Sequence, residues 1–218
     1  MSDGEALFFN SMDQFVEDIR VDHVRVHSEP RYQTVKKRFL LGKSLGGLIA
    51  AHTVARHPDL FSGLIGLSGA FEISSQLPPA PVVLLLRLLA MVTPKLPLKI
   101  IFDPKLIVSD PEAFKAWEQD ALVSRGKATV SYVTHAIAAA EELAPMIPGI
   151  ATPMLMMWGT GDEVVSLKGH RNMIDLSKSQ DKELKQYQGA YHNILAEPSC
   201  KAQAIQDILH WILQRSKL

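Results

Sequence analysis

The sequence predicts an α/β chain built on a parallel sheet, and three observations lead there. First, a strand, a helix and a second strand follow one another between about residues 37 and 67, the span of one parallel crossover unit. Second, the alternation returns after residue 150, with apolar Met154-Leu155-Met156-Met157-Trp158, a helical pattern, Leu184-Lys185-Gln186-Tyr187 and a final helical pattern. Third, residues 69–148 break this rhythm and hold most of the prolines. That interval is far longer than a simple crossover needs, so it predicts a helical cap inserted within a single domain spanning 1–218.

Each element has its own signal. Ser11-Met12-Asp13-Gln14 has capping-box form, and Phe15, Ile19 and Val26 then share one helical face, which predicts a helix over 12–27. Polar His23 interrupts that face near its far end. After the loop at Glu29-Pro30-Arg31, the apolar run Phe39-Leu40-Leu41 predicts a strand over 37–42. The next helix runs to Arg56, where Pro58 sets its stop. Ser62-Gly63-Leu64-Ile65-Gly66-Leu67 reads as a buried strand. Within the cap, Asp110-Pro111-Glu112 pairs an N-cap with a first-turn proline ahead of Phe114, Trp117 and Ala121. A further helix is expected over 127–143, then others over 167–178 and 201–215. The near-unbroken apolar segment Pro81–Val92 reads either as a lid helix touching lipid or as a helix buried beneath the cap.

Composition narrows the function classes. With 218 residues, 47% of them hydrophobic, the chain can bury one sizeable core. Its 23 basic and 23 acidic residues cancel, and the Lys36-Lys37-Arg38 run is too short for a nucleic-acid patch, so no nucleic-acid partner is expected. A single cysteine, Cys200, excludes an intrachain disulfide framework and suits a reducing, cytoplasmic compartment. Met1–Glu5 carries no signal-peptide pattern, and no stretch is apolar for long enough to span a bilayer.

Gly42-Lys43-Ser44-Leu45-Gly46-Gly47 is the segment with chemistry in it. A serine at the apex of a strand–turn–helix, with glycines two positions to either side, has the form of a nucleophile elbow. The expectation is that Gly42 and Gly46 let the backbone turn without a Cβ clash. A serine hydroxyl is a weak nucleophile at neutral pH unless a base takes its proton. Asp162 lies in the loop after the Met154–Trp158 strand, and His192 in the loop after the strand ending at Tyr187. In parallel sheets such loops share one edge, and the order Ser, Asp, His is that of an α/β-hydrolase triad. The candidate catalytic residues are therefore Ser44, Asp162 and His192, with the backbone amide of Leu45 as an oxyanion donor. This chemistry calls for no metal and no organic cofactor, and Ser44 in place of an elbow aspartate speaks against epoxide and haloalkane hydrolases.

Ile150–Leu155, Gly159-Thr160-Gly161-Asp162, Leu176–Lys182 and Tyr187-Gln188-Gly189-Ala190-Tyr191-His192, together with the elbow, resemble the monoacylglycerol lipase family over nearly the whole chain. The resemblance implies a cap-bearing serine hydrolase in which Ser44 attacks, His192 is the general base and Asp162 orients it. It implies a monoacylglycerol or similar lipid ester as substrate and peripheral membrane contact through the cap; it leaves the oligomeric state open. It departs from the family in one respect. Only 43 residues precede Ser44, where the fold normally places about four strands and the H-G type loop that supplies an oxyanion amide. The expectation is a sheet truncated at its N-terminal side, with the loss of one donor costing ~10²–10³ in rate. A non-catalytic short form that retains the triad is the alternative, and a lysophospholipase or other carboxylesterase is a third reading.

Overall fold

The structure is a computed structural model and describes residues 7–72, 78–98, 103–123 and 127–217. Met1–Glu5 and parts of the expected cap (73–77, 99–102 and 124–126) lie outside the described residues. Among these residues four strands, β1 (Phe39–Lys43), β2 (Gly63–Leu67), β3 (Met154–Gly159) and β4 (Lys182–Tyr187), form a sheet in the order β1-β2-β3-β4. All three pairings are parallel, with Leu41 beside Ile65, Ile65 beside Leu155 and Leu155 beside Glu183. Among the described residues seven α-helices accompany them: α1 (Met12–Ser28), α2 (Leu45–Arg56), α3 (Ala80–Val92), α4 (Pro111–Gln119), α5 (Val130–Leu143), α6 (Leu167–Leu176) and α7 (Lys201–Ser216).

Alternation along the central strands divides the core between the two faces of the sheet. Leu64, Met154 and Met156 point into a cluster with Met12 and Val16 of α1, Leu48, Ala51 and Val54 of α2, Leu143 of α5 and Met173 of α6. Ile65, Leu67, Leu155 and Met157 point the other way, against Ala204, Ile208 and Trp211 of α7. Both faces of β2 and β3 are therefore covered, which is why those strands read as continuous apolar runs rather than alternating ones. Among the described residues β1 and β4 are the edge strands, and Leu41 of β1 is 44% exposed.

Local chemistry explains most boundaries. Ser11 Oγ accepts the Asp13 amide at the start of α1, Asp110 caps α4 through the Ala113 amide, and Thr129 caps α5 through the Tyr132 amide. α1 continues past His23, whose ring meets Phe61 edge-on and stacks on His27, so the polar interruption is absorbed by aromatic contacts. α4 stops at Gln119, short of Ala121, because Asp120 leaves the helical conformation and its side chain reaches forward to accept the Leu122 amide. Between β2 and β3 the two long cap-region helices differ in character. α5 packs on α2 and enters the core, whereas α3 packs on α5 and contains no buried residue. The reading of Pro81–Val92 as a buried helix is thereby overturned. Leu84, Leu88, Met91 and Val92 form an outward stripe, while Arg87 pairs with Glu141 of α5.

Candidate active site

Ser44 follows β1 directly, at φ 53° and ψ −122°, a left-handed conformation that a non-glycine residue adopts only when its surroundings enforce it. Four neighbours do so. The Ser44 amide donates to Leu67 O at 3.0 Å, and its carbonyl accepts the amides of Gly47 (2.9 Å), Leu48 (3.2 Å) and Ala70 (3.0 Å). The glycines act differently from the sequence expectation. A Cβ on Gly42 would lie 2.1 Å from the Gly46 carbonyl oxygen, so the first turn of α2 folds back onto the strand at that point. A Cβ on Gly46 would meet nothing within 4 Å; the second close approach is at Gly47, 2.9 Å from the Gly69 Cα. The elbow therefore depends on Gly42 and Gly47, and Gly46 needs no special freedom. Leu45 opens α2, so its amide is one of the first-turn N–H groups that a helix leaves unbonded, at the positive end of the helix dipole.

Asp162 and His192 meet. Asp162 Oδ2 accepts from His192 Nδ1 at 2.9 Å, and Oδ1 accepts the amides of Val164 at 2.8 Å and Val165 at 3.1 Å. Both side chains are buried. With Nδ1 donating to the carboxylate, Nε2 is the ring nitrogen free to accept a proton. The two loops are held face to face by Gly161 N donating to Ala190 O at 2.9 Å and Gly189 N to Thr160 Oγ1 at 2.8 Å. A Cβ on Gly159 would stand 2.2 Å from Ala190 O, so side-chain-free backbone is required there. Ser44 N to Leu67 O, Ser68 N to Met157 O and Thr160 N to Tyr187 O extend the strand ladder along the carboxyl edge and bring all three loops to one rim. Among the described residues no hydrogen bond joins Ser44 Oγ to His192. Contacts of this kind are commonly loose before substrate binds.

One residue at this rim carries no signal in the sequence reading. His170 of α6 is fully buried; its Nδ1 donates to Ser166 O at 3.0 Å, and its Nε2 accepts the Gly69 amide at 3.0 Å. It thus pins the loop that reaches Ser44 through Ala70. Burial pushes this imidazole down to about 4, which keeps Nε2 free as an acceptor. Its role depends on a glycine 101 residues away, and no local pattern marks that contact. Among the described residues no group of three or more His, Cys, Asp or Glu side chains is placed to hold a metal ion. A cavity of about 550 Å³ lined by Asp18, His23, His27, Arg38, Phe39 and Phe61 lies at the opposite end of β1 from Ser44 and is separate from this rim.

A strained serine between strand and helix, set on the same sheet edge as a buried Asp–His pair, is how α/β-hydrolases are built. The comparisons with known proteins agree. The hydrolase family described as serine aminopeptidase, S33 matches residues 1–199, and the chain belongs to that family. Among its relatives is a monoglyceride lipase of Homo sapiens, 30% identical over 99% of this chain and 70% of that protein. A monoacylglycerol lipase of Mycolicibacterium smegmatis is 26% identical over 97% of this chain and 74% of its own length. In three dimensions the chain is similar to the Paleococcus ferrophilus monoacylglycerol lipase, with TM-score 0.83 and 27% identity, covering 94% of this chain and 76% of that one.

Proposed function

We propose that this chain is a serine ester hydrolase that cleaves monoacylglycerols to fatty acid and glycerol through an acyl-enzyme. The observation that carries the reading is the buried Asp162–His192 hydrogen bond on the rim that also holds Ser44 in its strained turn. The names of the relatives supply the substrate class.

In this mechanism His192 Nε2 takes the Ser44 proton as Oγ attacks the ester carbonyl, and Asp162 steadies the imidazolium that forms. The Leu45 amide faces the developing oxyanion. Collapse of the tetrahedral intermediate expels glycerol, whose oxygen takes the proton from His192. Water then repeats the sequence on the acyl-enzyme, releasing the fatty acid and restoring Ser44. The exposed apolar stripe of α3 supports a lid that rests on a lipid surface, the cap comprising the helices between β2 and β3. The contact proposed is peripheral, through α3, and the location proposed is the cytoplasm, which the single buried Cys200 suits; among the described residues no helix is long and apolar enough to cross a membrane.

Purified protein treated with a fluorophosphonate probe should be labelled at Ser44, and Ser44→Ala should abolish labelling and lower ester turnover by ~10⁴-fold or more. Folded protein that resists the probe would instead support the non-catalytic reading. Turnover of 2-monoacylglycerol well above lysophospholipid is the expected preference; the reverse order would reassign the substrate class.

A further inference from the structure

Glu197 is 1% exposed and stands between the turn at Ile194–Ala196 and the start of α7. A buried carboxylate is costly unless donors satisfy it, and the donors here come from two separate places. Oε1 accepts the Ser109 amide at 2.7 Å and the Tyr191 amide at 3.1 Å, and Oε2 accepts the Ser109 hydroxyl at 2.6 Å. Beside these, Asn193 N donates to Ile107 O at 2.7 Å, with a longer contact from His192 N to Leu106 O at 3.5 Å. The segment 106–109, which lies between α3 and α4, is therefore laced to the backbone on both sides of His192.

We propose that Glu197 is a positioning residue that clamps the 106–109 segment onto the histidine loop and so holds the His192 imidazole in line with Asp162. The proposal rests on the hydrolase reading. The bond to Asp162 fixes only one ring nitrogen; the direction of Nε2 is set by where the backbone of 191–193 lies, and Glu197 fixes that backbone. The clamp also ties the cap region to the base, because the strand of chain it grips emerges from the stretch that carries α3. Two acceptor oxygens are needed for the two amides and the hydroxyl. A serine hydroxyl can accept as well as donate, so a glutamine at this position keeps every contact, whereas an alanine leaves two amides without an acceptor.

The test compares Glu197→Gln and Glu197→Ala in the full chain, using a dissolved short-chain nitrophenyl ester with active sites counted by fluorophosphonate titration. Glu197→Ala should lower kcat per titrated site by about 10- to 100-fold, with KM moving less than about threefold, and Glu197→Gln should restore most of it. Amide hydrogen exchange at 191–193 should rise about tenfold or more in the alanine variant and stay near wild type in the glutamine variant. Unchanged kcat per site in the alanine variant would overturn the positioning role, even if fewer sites titrate, since that pattern marks a purely structural residue. Unchanged exchange at 191–193 would overturn the clamp. A wild type that neither labels nor turns over would defeat the hydrolase reading separately, and the exchange comparison would still decide whether Glu197 holds the loop.

Discussion

The strain at Ser44 is maintained by the residues around it. Gly42 must lack a side chain because the Gly46 carbonyl oxygen occupies the place of its Cβ. Gly42→Ala should therefore destabilise the fold by about 2 kcal/mol or more and suppress labelling of Ser44. Gly46→Ala faces open space inside α2, so it should raise stability by about 0.5–1 kcal/mol, as alanine does for a helical glycine. Urea midpoints of the two variants check this, and equal destabilisation would contradict the asymmetry. The G-x-S-x-G spacing was legible in the sequence. Which glycine bears the contact was not, because that depends on how the first turn of α2 folds back over β1.

At the level of elements, the strands and most helices were legible because apolar runs, caps and prolines mark them locally. Asp110 caps α4 as the sequence implied, whereas α5, expected from residue 127, starts at Val130 because Thr129 is its cap. The edges that shifted, such as α4 ending before Ala121, turned on single loop hydrogen bonds. What α6 contributes to the rim was not legible, since His170 finds its partner in the loop after β2, 101 residues away. This imidazole has a definite pH consequence. Its folded value of about 4 lies below the ordinary 6.5, so above pH 6.5 it costs nothing. As pH falls from 6.5 to 4 the unfolded chain takes up a proton that the native one refuses, and stability drops by about 3 kcal/mol in total. His170→Gln retains an acceptor for Gly69 but cannot titrate, so its stability should fall less steeply between pH 7 and 4.5. His52, also pushed down by burial, is common to both proteins and sets the shared background. Parallel pH profiles for wild type and variant, measured by urea denaturation, would remove His170 as the cause.

On the scale of the whole molecule, Ser44, Asp162 and His192 follow β1, β3 and β4 of one parallel sheet, and that order placed their loops on one edge; of the three, Asp162 and His192 are hydrogen-bonded to each other. The sequence could not decide whether α3 is covered, because an unbroken apolar run looks alike on a core helix and on a lid. Packing decides it: α5 contributes to the core, whereas α3 lies outside it, with one flank against α5 and Arg87 paired to Glu141. Replacing both Leu88 and Met91 with glutamate should weaken sedimentation with phosphatidylcholine vesicles by about tenfold or more, since each exposed side chain offers ~1–2 kcal/mol of burial. Binding unaffected by the double substitution would place the lipid contact elsewhere.

The methionines of this chain are unequally shielded. Met154, Met156 and Met157 are sealed inside the sheet, whereas Met91 stands 82% open at the tip of α3. Peroxide should reach that thioether long before the others and turn it into a polar sulfoxide. Under the proposed lid role of α3, that oxidation would weaken the hold on membranes, and methionine sulfoxide reductase would restore it.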